Sequence, residues 1–423
     1  MGRWASDFRI SCGLSQEVSS LPLNVSKIRR DFPILSSGKI YLDSAASSLT
    51  PEPVIRKVLE FYREYRANVG RGVYSWSAEA TDEYERARKE VAKLINAKDA
   101  SEIIFTKNTT EGINTVAHGL EWKSGDKIVT TIVEHHSNFI PWLRITKKLS
   151  LKIEIVKSDG AGRFEITDFE KAIDERTKLV AISHASNVLG TVLPVKEVTK
   201  IAHERGAKIL IDGAQSVPHM PVDVSEIGCD FLAFSGHKML APTGIGVLYV
   251  NSDSSDVLEP LAVGGGTVDH VSISDFSLTR SPDRFEAGTP PIAQAIGLGE
   301  AVKYLRRLDM EDIAVHERKL TEKIISGLSE IEDTEIYGPL TCNDRIGIVA
   351  FNVRDLDPNG VAEILDEKGG IMVRSGHHCA MPLHVELLRR PLGSVRASVY
   401  IYNTAREIDK LIEMIERIAK MKS

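Results

Sequence analysis

The sequence predicts an α/β protein: a mostly parallel sheet of seven strands flanked by helices, followed by a smaller α+β domain. Three observations carry this expectation. From about residue 50 to residue 250, helical patterns alternate with short apolar runs, the order that builds a parallel sheet. Several runs are apolar at consecutive positions, as expected of strands covered by helices on both faces. After about residue 290 the strict alternation stops.

In chain order, Val54, Val58, Phe61 and Tyr65 keep helical spacing, behind Pro51 and Pro53, which suit a helix start. Ala80, Tyr84, Ala87, Val91 and Leu94 keep it again. The strand-like runs are Ile103–Thr106, Lys127–Val133, Ile153–Val156, Leu179–Ser183, Ile209–Ile211, Phe231–Phe234 and Gly246–Val250. One long helical stretch spans 292–330. The runs Ile346–Val353, Gly370–Arg374 and Val395–Tyr402 follow, and the chain ends on a helix with Ile408, Leu411, Ile412, Ile415 and Ala419 on one face. Pro290-Pro291 marks the domain boundary. That gives a large domain over 45–290 and a small domain made of 1–44 and 291–423.

The 423 residues suffice for two or three domains at roughly 100–200 residues each. Apolar residues make up 42% and charged residues 26%, which excludes a largely disordered chain. The net charge is −6 with no basic block, so nucleic acid is not an expected partner. No apolar run has the roughly 18 residues of a membrane span. The N-terminus is polar where a signal peptide needs an apolar stretch, and its M-G-x-x-x-S match to a myristoylation pattern is short enough to arise by chance. Cys12, Cys229, Cys342 and Cys379 lie far apart, with no C-x-x-C pair. This argues against a disulfide scaffold or Cys-rich zinc site and fits a reducing cytoplasm.

Neither a G-x-x-x-x-G-K-[ST] loop nor a G-x-G-x-x-G after the first strand is present, so the two common nucleotide loops are absent. Thr109 and Thr110 follow a strand and open a helical pattern. They serve either as ordinary caps or, with free N–H groups, as a phosphate site. Asp212 ends an apolar strand, where open α/β sheets bind ligands. A loop Asp capping a turn is the plainer reading, and the company of Asn187, Gln215 and Lys238, each just past a strand, favours the cleft. Most lysines are solvated, but Lys238 lies between an apolar strand and Met239-Leu240-Ala241-Pro242. Burial and a neighbouring His favour its neutral amine, which condenses with aldehydes. His135 and His136 lack the spacing of a metal motif. They are either buried, hydrogen-bonded rings or, for one of them, a flat ring against a planar cofactor. Cys379 sits in a loop between Gly376 and Pro382, beside Arg374, His377 and His378. That electropositive setting is the kind in which reactive thiolates occur, whereas three consecutive zinc ligands suit tetrahedral geometry poorly.

The segments YLDSAASSLTPEPV, RGVYSWSAEATDEYERAR, TTEGIN, EHHSNFIPW, SHASNVLGT, IDGAQSVPH, SGHKMLAPTGIGVLY, DRFEAGTP, RSGHHCAMPL and VRASVYIYN, in that order, closely resemble those of the SUF-type (SufS-like) cysteine desulfurases. These are pyridoxal-phosphate enzymes of the class V aminotransferase group. The resemblance runs from about Phe32 to Ile418 and implies the fold type I of pyridoxal-phosphate transferases. It implies that Lys238 binds the cofactor aldehyde, Asp212 pairs with the pyridine nitrogen, His135 stacks on the ring and Gln215 bonds the phenolic oxygen. Thr109, Thr110, Ser235 and His237 would hold the phosphate, and Thr289 would reach the phosphate of the other subunit of a homodimer. Arg396 with Asn187 would bind the substrate carboxylate, Arg374 would help form that site, and Cys379 would accept sulfur. No metal is implied. The implied reaction converts L-cysteine to L-alanine with a persulfide on Cys379, for iron–sulfur cluster assembly. The acceptor would be a SufE- or SufU-type protein or the SUF scaffold. Selenocysteine lyase, cysteine sulfinate lyase and other class V aminotransferase-fold enzymes are the alternatives. Two features depart from the family pattern: HVELLRRPLGS is longer than usual, and the first 30 or so residues have no counterpart.

Overall fold

The computed structural model describes residues 23–421; the M-G-x-x-x-S pattern, the polar N-terminal stretch and Cys12 lie outside them. Seven strands form the main sheet: β1 Ile103–Thr106, β2 Lys127–Thr131, β3 Lys152–Val156, β4 Thr177–Ser183, β5 Lys208–Asp212, β6 Phe231–Ser235 and β7 Gly246–Val250. Their spatial order is β1-β7-β6-β5-β4-β2-β3. β7 is antiparallel to both neighbours, and all other adjacent pairs are parallel. The seven expected runs are these strands, each starting within two residues of its expected start.

Alternation along the strands sends side chains to opposite faces. Ile103, Val129, Val180, Ile182, Ile209, Ile211 and Phe234 enter one core. Ile104, Ile128, Leu179, Ala181, Leu210, Phe231 and Ala233 enter another. The first face is covered by the helices Glu52–Glu64, Ser75–Leu94, Val195–Glu204 and Ile292–Leu308, the second by Thr109–Gly119 and Ile140–Leu149. Burial on both faces is why these strands read as continuous apolar runs.

A second sheet, all antiparallel, contains β8 Thr334–Tyr337, β9 Ile348–Val353, β10 Arg374–Gly376 and β11 Ser394–Ser398, in the order β8-β9-β11-β10. The helices Met310–Ser329, Pro358–Gly369 and Ala405–Lys420 supply its core with Leu320, Ile324, Leu365, Ile408 and Leu411. Ile40 and Leu42 also belong to that core, through a short parallel pairing of Ile40–Tyr41 with Ile371–Met372. On the last helix the buried stripe is Ile408, Leu411, Met414, Ile415 and Ile418, with Ile412 and Ala419 half-buried at its margin.

The single helical stretch expected over 292–330 is two helices. Asp309 breaks it with φ +70°, and its side chain caps the next helix by accepting from Glu311 N at 2.9 Å. The expected boundary at 290–291 falls at the start of Ile292–Leu308, which packs against Glu52–Glu64 and Ser75–Leu94. The following helix reaches both cores, with Ile313 in the first and Leu320 in the second. Among the described residues no helix is long and apolar enough to cross a membrane.

One buried ion pair ties the helix Ser75–Leu94 to β1 and to the segment leading to Thr289. Glu286 accepts from Arg88 Nη1 at 2.7 Å and Nη2 at 3.0 Å, from the Tyr84 hydroxyl at 2.7 Å and from Phe105 N at 2.7 Å. The Arg88 side chain is 1% exposed and that of Glu286 8%. Arg88→Ala leaves a buried carboxylate without its cation. The expected loss is about 3–5 kcal/mol, read from denaturant unfolding; a loss below 1 kcal/mol contradicts this account.

Candidate active site

β1, β2, β4, β5 and β6 end at one edge of the main sheet, where α/β folds bind ligands. A cavity of about 460 Å³ opens there, within the range of small-molecule sites. Residues at or after each strand line it: Thr109 and Thr110 after β1, His135 after β2, Asn187 after β4, Asp212 and Gln215 from β5, and Ser235, His237 and Lys238 from β6. The second sheet contributes Arg374 and Arg396, and the segment between them contributes Cys379. Thr289 is not part of this cavity. It is exposed and, with Arg71, Gly265 and Gly266, borders a separate hollow of about 760 Å³.

At one end the helix Thr109–Gly119 begins, with Asn108 capping it through Glu111 N. Thr109 N donates to Ser235 Oγ at 2.8 Å, the Thr109 and Ser235 hydroxyls lie 2.6 Å apart, and those of Thr110 and Ser137 lie 2.7 Å apart. A helix N-terminus ringed by hydroxyls suits an anion such as phosphate. Gly246 permits this arrangement: a Cβ there would lie 2.6 Å from Asn108 Cα.

In the middle, burial pulls the Lys238 amine down to about 8, against the opposing pull of Asp212. Burial raises the Asp212 carboxyl, whose Oδ1 accepts from Ala214 N at 3.0 Å. Burial, then the charge of Lys238, holds His135 down at about 3, so its ring is neutral. Ser137 N donates to His135 Nδ1 at 3.0 Å, which leaves the ring proton on Nε2. His237 is held to about 4 by burial and then Lys238. Gln215 Nε2 donates to Ala45 O at 2.8 Å, while its Oε1 is buried without a partner.

At the other end Arg396 is buried. Its Nη1 donates to Asn187 O at 2.9 Å and its Nη2 to Asp43 Oδ1 at 3.2 Å, and its Nε has no partner. Arg374 donates to the same carboxylate from Nη2 at 2.8 Å and from Nε at 3.0 Å. Burial lowers Arg396 to about 10, whereas the hydrogen bond to Asp43 raises Arg374. Cys379 is exposed on the rim. Its loop starts where Gly376 meets Gly393 so closely that a Cβ on Gly393 would lie 2.2 Å from Gly376 C. His378 and Cys379 both take positive φ, +50° and +57°, a conformation that residues other than glycine adopt when their surroundings impose it.

The cavity thus combines an anion-binding end, an amine facing a buried carboxylate, a pair of arginines and an accessible thiol. Buried polar atoms such as Gln215 Oε1 and Arg396 Nε lack partners that a ligand can supply. Among the described residues no group of three or more His, Cys, Asp or Glu side chains is placed to hold a metal ion.

Sequence reasoning gave no role to Asp43, Glu134 or His136. Asp43 follows the short strand Ile40–Tyr41, the same signal that singled out Asp212. Glu134 is buried beneath His135 and accepts from Ser183 N and Oγ, Thr131 Oγ1 and Asn138 Nδ2. Burial pushes its carboxyl up to about 7. His136 contacts the Cys379 loop through its main-chain N and its ring.

Fold and cavity together define a lysine-centred α/β enzyme. The model of the aminotransferase class-V family matches residues 40–411, and the chain belongs to that family. It is 49% identical over 396 residues to a probable cysteine desulfurase of Pyrococcus abyssi, covering 93% of this chain and 97% of that protein. The apo structure of a cysteine desulfurase from Thermococcus onnurineus NA1 superposes with a TM-score of 0.91 at 46% identity, over 95% of this chain and 99% of that one. The S-sulfonic acid form of the cysteine desulfurase CsdA from Escherichia coli gives 0.87 at 33% identity, over 94% and 99%.

The lowered amine sets a pH dependence. Only neutral Lys238 attacks an aldehyde or an acylating reagent, so in cofactor-free protein its labelling rate rises with pH to a midpoint near 8 and then levels off. Peptide mapping of Lys238 across pH checks this, and a midpoint above 10 contradicts it.

Proposed function

We propose that this chain is a cysteine desulfurase that uses pyridoxal phosphate, converts L-cysteine to L-alanine with a persulfide on Cys379, and supplies sulfur for iron–sulfur cluster assembly. The observation that carries this reading is the meeting, in one cavity, of the Lys238 amine with an exposed thiol, Cys379, between an anion site and two arginines. Pyridoxal phosphate, when bound, supplies an aldehyde that condenses with amines and a ring that accepts the electron pair released at Cα.

The chain's own residues fit that group. The hydroxyls of Thr109, Thr110 and Ser235, with His237, serve its phosphate, and Asp212 serves its ring nitrogen. Gln215 serves its phenolic oxygen, and His135 borders the ring. Arg396, with Asn187 and Arg374, holds the substrate carboxylate, and Asp43 fixes both guanidinium groups. That charge pairing orients the substrate before any bond changes. Lys238, as neutral amine, takes the Cα proton. The Cys379 thiolate forms a bond to the substrate sulfur as the substrate Cβ–S bond breaks. The electron pair stays with Cβ, which takes a proton, and the Lys238 ammonium returns to Cα the proton it removed; the neutral His135 ring directs its Nε2–H from the cavity wall. Alanine leaves and the persulfide remains on Cys379. Its exposure lets a sulfur-acceptor protein reach it, and an exposed unpaired thiol suits a reducing cytoplasm.

A homodimer completes this reading. Thr289 borders its hollow with Asn68, Arg71 and Val268, and exposed apolar side chains flank the same segments: Val73, Tyr74 and Trp76 on one, Val271, Ile273 and Phe276 on the other. A second copy covers that surface and brings its cofactor phosphate to Thr289.

Mass spectrometry after brief exposure to cysteine is expected to place about 32 Da, one sulfur atom, on Cys379. Cys379→Ser is expected to abolish alanine release from cysteine while the cofactor stays bound. Turnover that survives this change refutes the assignment. Asp43→Ala is expected to raise the KM for cysteine about tenfold, the scale of one charge-assisted hydrogen bond, with cofactor absorbance unchanged. A KM within twofold of wild type removes Asp43 from the substrate site.

A further inference from the structure

We propose that His136 is the positioning residue that seats Cys379 for attack on the substrate sulfur; this rests on the reading of Cys379 as sulfur acceptor. His136 holds the loop at the nucleophile and two residues beyond it. Its main-chain N donates to Cys379 O at 2.6 Å, and its ring Nε2 accepts from Met381 N at 3.1 Å. The neighbouring carbonyl, His378 O, accepts from Asn187 Nδ2 at 2.7 Å. With both His378 and Cys379 in the left-handed region, the loop does not close its own hydrogen bonds at these points, and Asn187 and His136 close them instead.

The clamp has a rigid base. His136 opens the short turn His136–Asn138, and buried Asn138 is locked at both ends of its side chain. Its Nδ2 donates to Glu134 at 2.6 Å and its Oδ1 accepts from Trp142 Nε1 at 3.0 Å. Next to it, His135 borders the cavity, so one dipeptide sets both the cofactor wall and the thiol. Accepting at Nε2 requires a neutral ring, and burial, then His377, lowers His136 accordingly. The bond from Met381 N is the one that depends on the side chain; the bond to Cys379 O comes from the main chain and survives substitution.

The test compares His136→Ala, which removes the acceptor, with His136→Gln, whose amide oxygen can replace it. Four readouts are taken on the purified holoenzyme: amide exchange at Met381, kcat, KM and cofactor absorbance. For His136→Ala the expected result is Met381 exchange at least about tenfold faster and kcat about 10- to 100-fold lower, with KM within twofold and absorbance unchanged. His136→Gln is expected to restore kcat and protection to within about threefold of wild type, and it carries the test alone should the alanine variant not fold. Unchanged exchange and kcat in His136→Ala overturn the proposal. So does a loss shared by KM and cofactor binding, or one that glutamine does not recover. If wild-type enzyme forms no persulfide on Cys379, the functional reading fails and this role falls with it. A persulfide present in wild type with an unprotected Met381 amide overturns the clamp alone.

Discussion

Strands β1, β2, β4, β5 and β6 run in the same direction, and the intervening chain returns along the faces of the sheet. Five loop starts therefore reach one edge, at the helix N-terminus of Thr109 and the strand ends that carry or precede Asp212 and Lys238. The position of every ligand-facing group that the main sheet contributes follows from this constraint. Backbone pairing in the sheet holds the loop starts, and two apolar cores hold the sheet. β7 runs the other way and contributes Gly246, where the absence of a side chain lets the turn after β1 come close. The rigid scaffold supplies placement, and short loops supply the chemistry.

A second element joins the two halves of the cavity. Residues 43–49 pass between the main sheet and the smaller one and bond to both. Asp43 holds Arg374 and Arg396, and Ala45 O accepts from Gln215. Ser48 N donates to His237 O, and Leu240 N donates to Ser48 Oγ. The Ser44 hydroxyl lies 2.7 Å from that of Tyr402. The segment therefore registers the carboxylate end against the lysine end. A buried guanidinium is expensive unless its charge is balanced, and the Asp43 carboxylate supplies that balance for Arg396.

Most of the fold was legible because its signal is local. Strands buried on both faces are apolar throughout, and helices covering them show a periodic stripe, so both survive as one-dimensional patterns. Lys238, Asp212, Gln215 and Asn187 stand out by following such strands. Arg374 was legible as a positive neighbour of Cys379, but its part in the substrate site, and the whole role of Arg396, came only through resemblance to a family. Asp43 and His136 remained unread because their partners are set by tertiary packing: Asp43 is 331 residues from Arg374, and His136 is 245 from Met381. The break at Asp309 is a backbone conformation, left-handed at a residue other than glycine, that the helical spacing on either side does not announce.

On the proposed reading, the sulfur acceptor must face inward to meet a substrate held by Arg396 and outward to pass its sulfur on. A cysteine on a rigid strand meets one demand, and one on a free loop meets neither with the precision that bond formation needs. Cys379 stands between these extremes. Its loop is exposed, yet pinned at His378 O by Asn187, at Cys379 O by the main chain of His136 and at Met381 N by the His136 ring. Ser394 Oγ lies 3.1 Å from His378 Nε2 and 3.0 Å from His384 Nε2, and burial keeps both rings neutral, so the loop's base rests on uncharged bonds. The positive φ at the thiol makes the seated conformation one that these bonds must sustain.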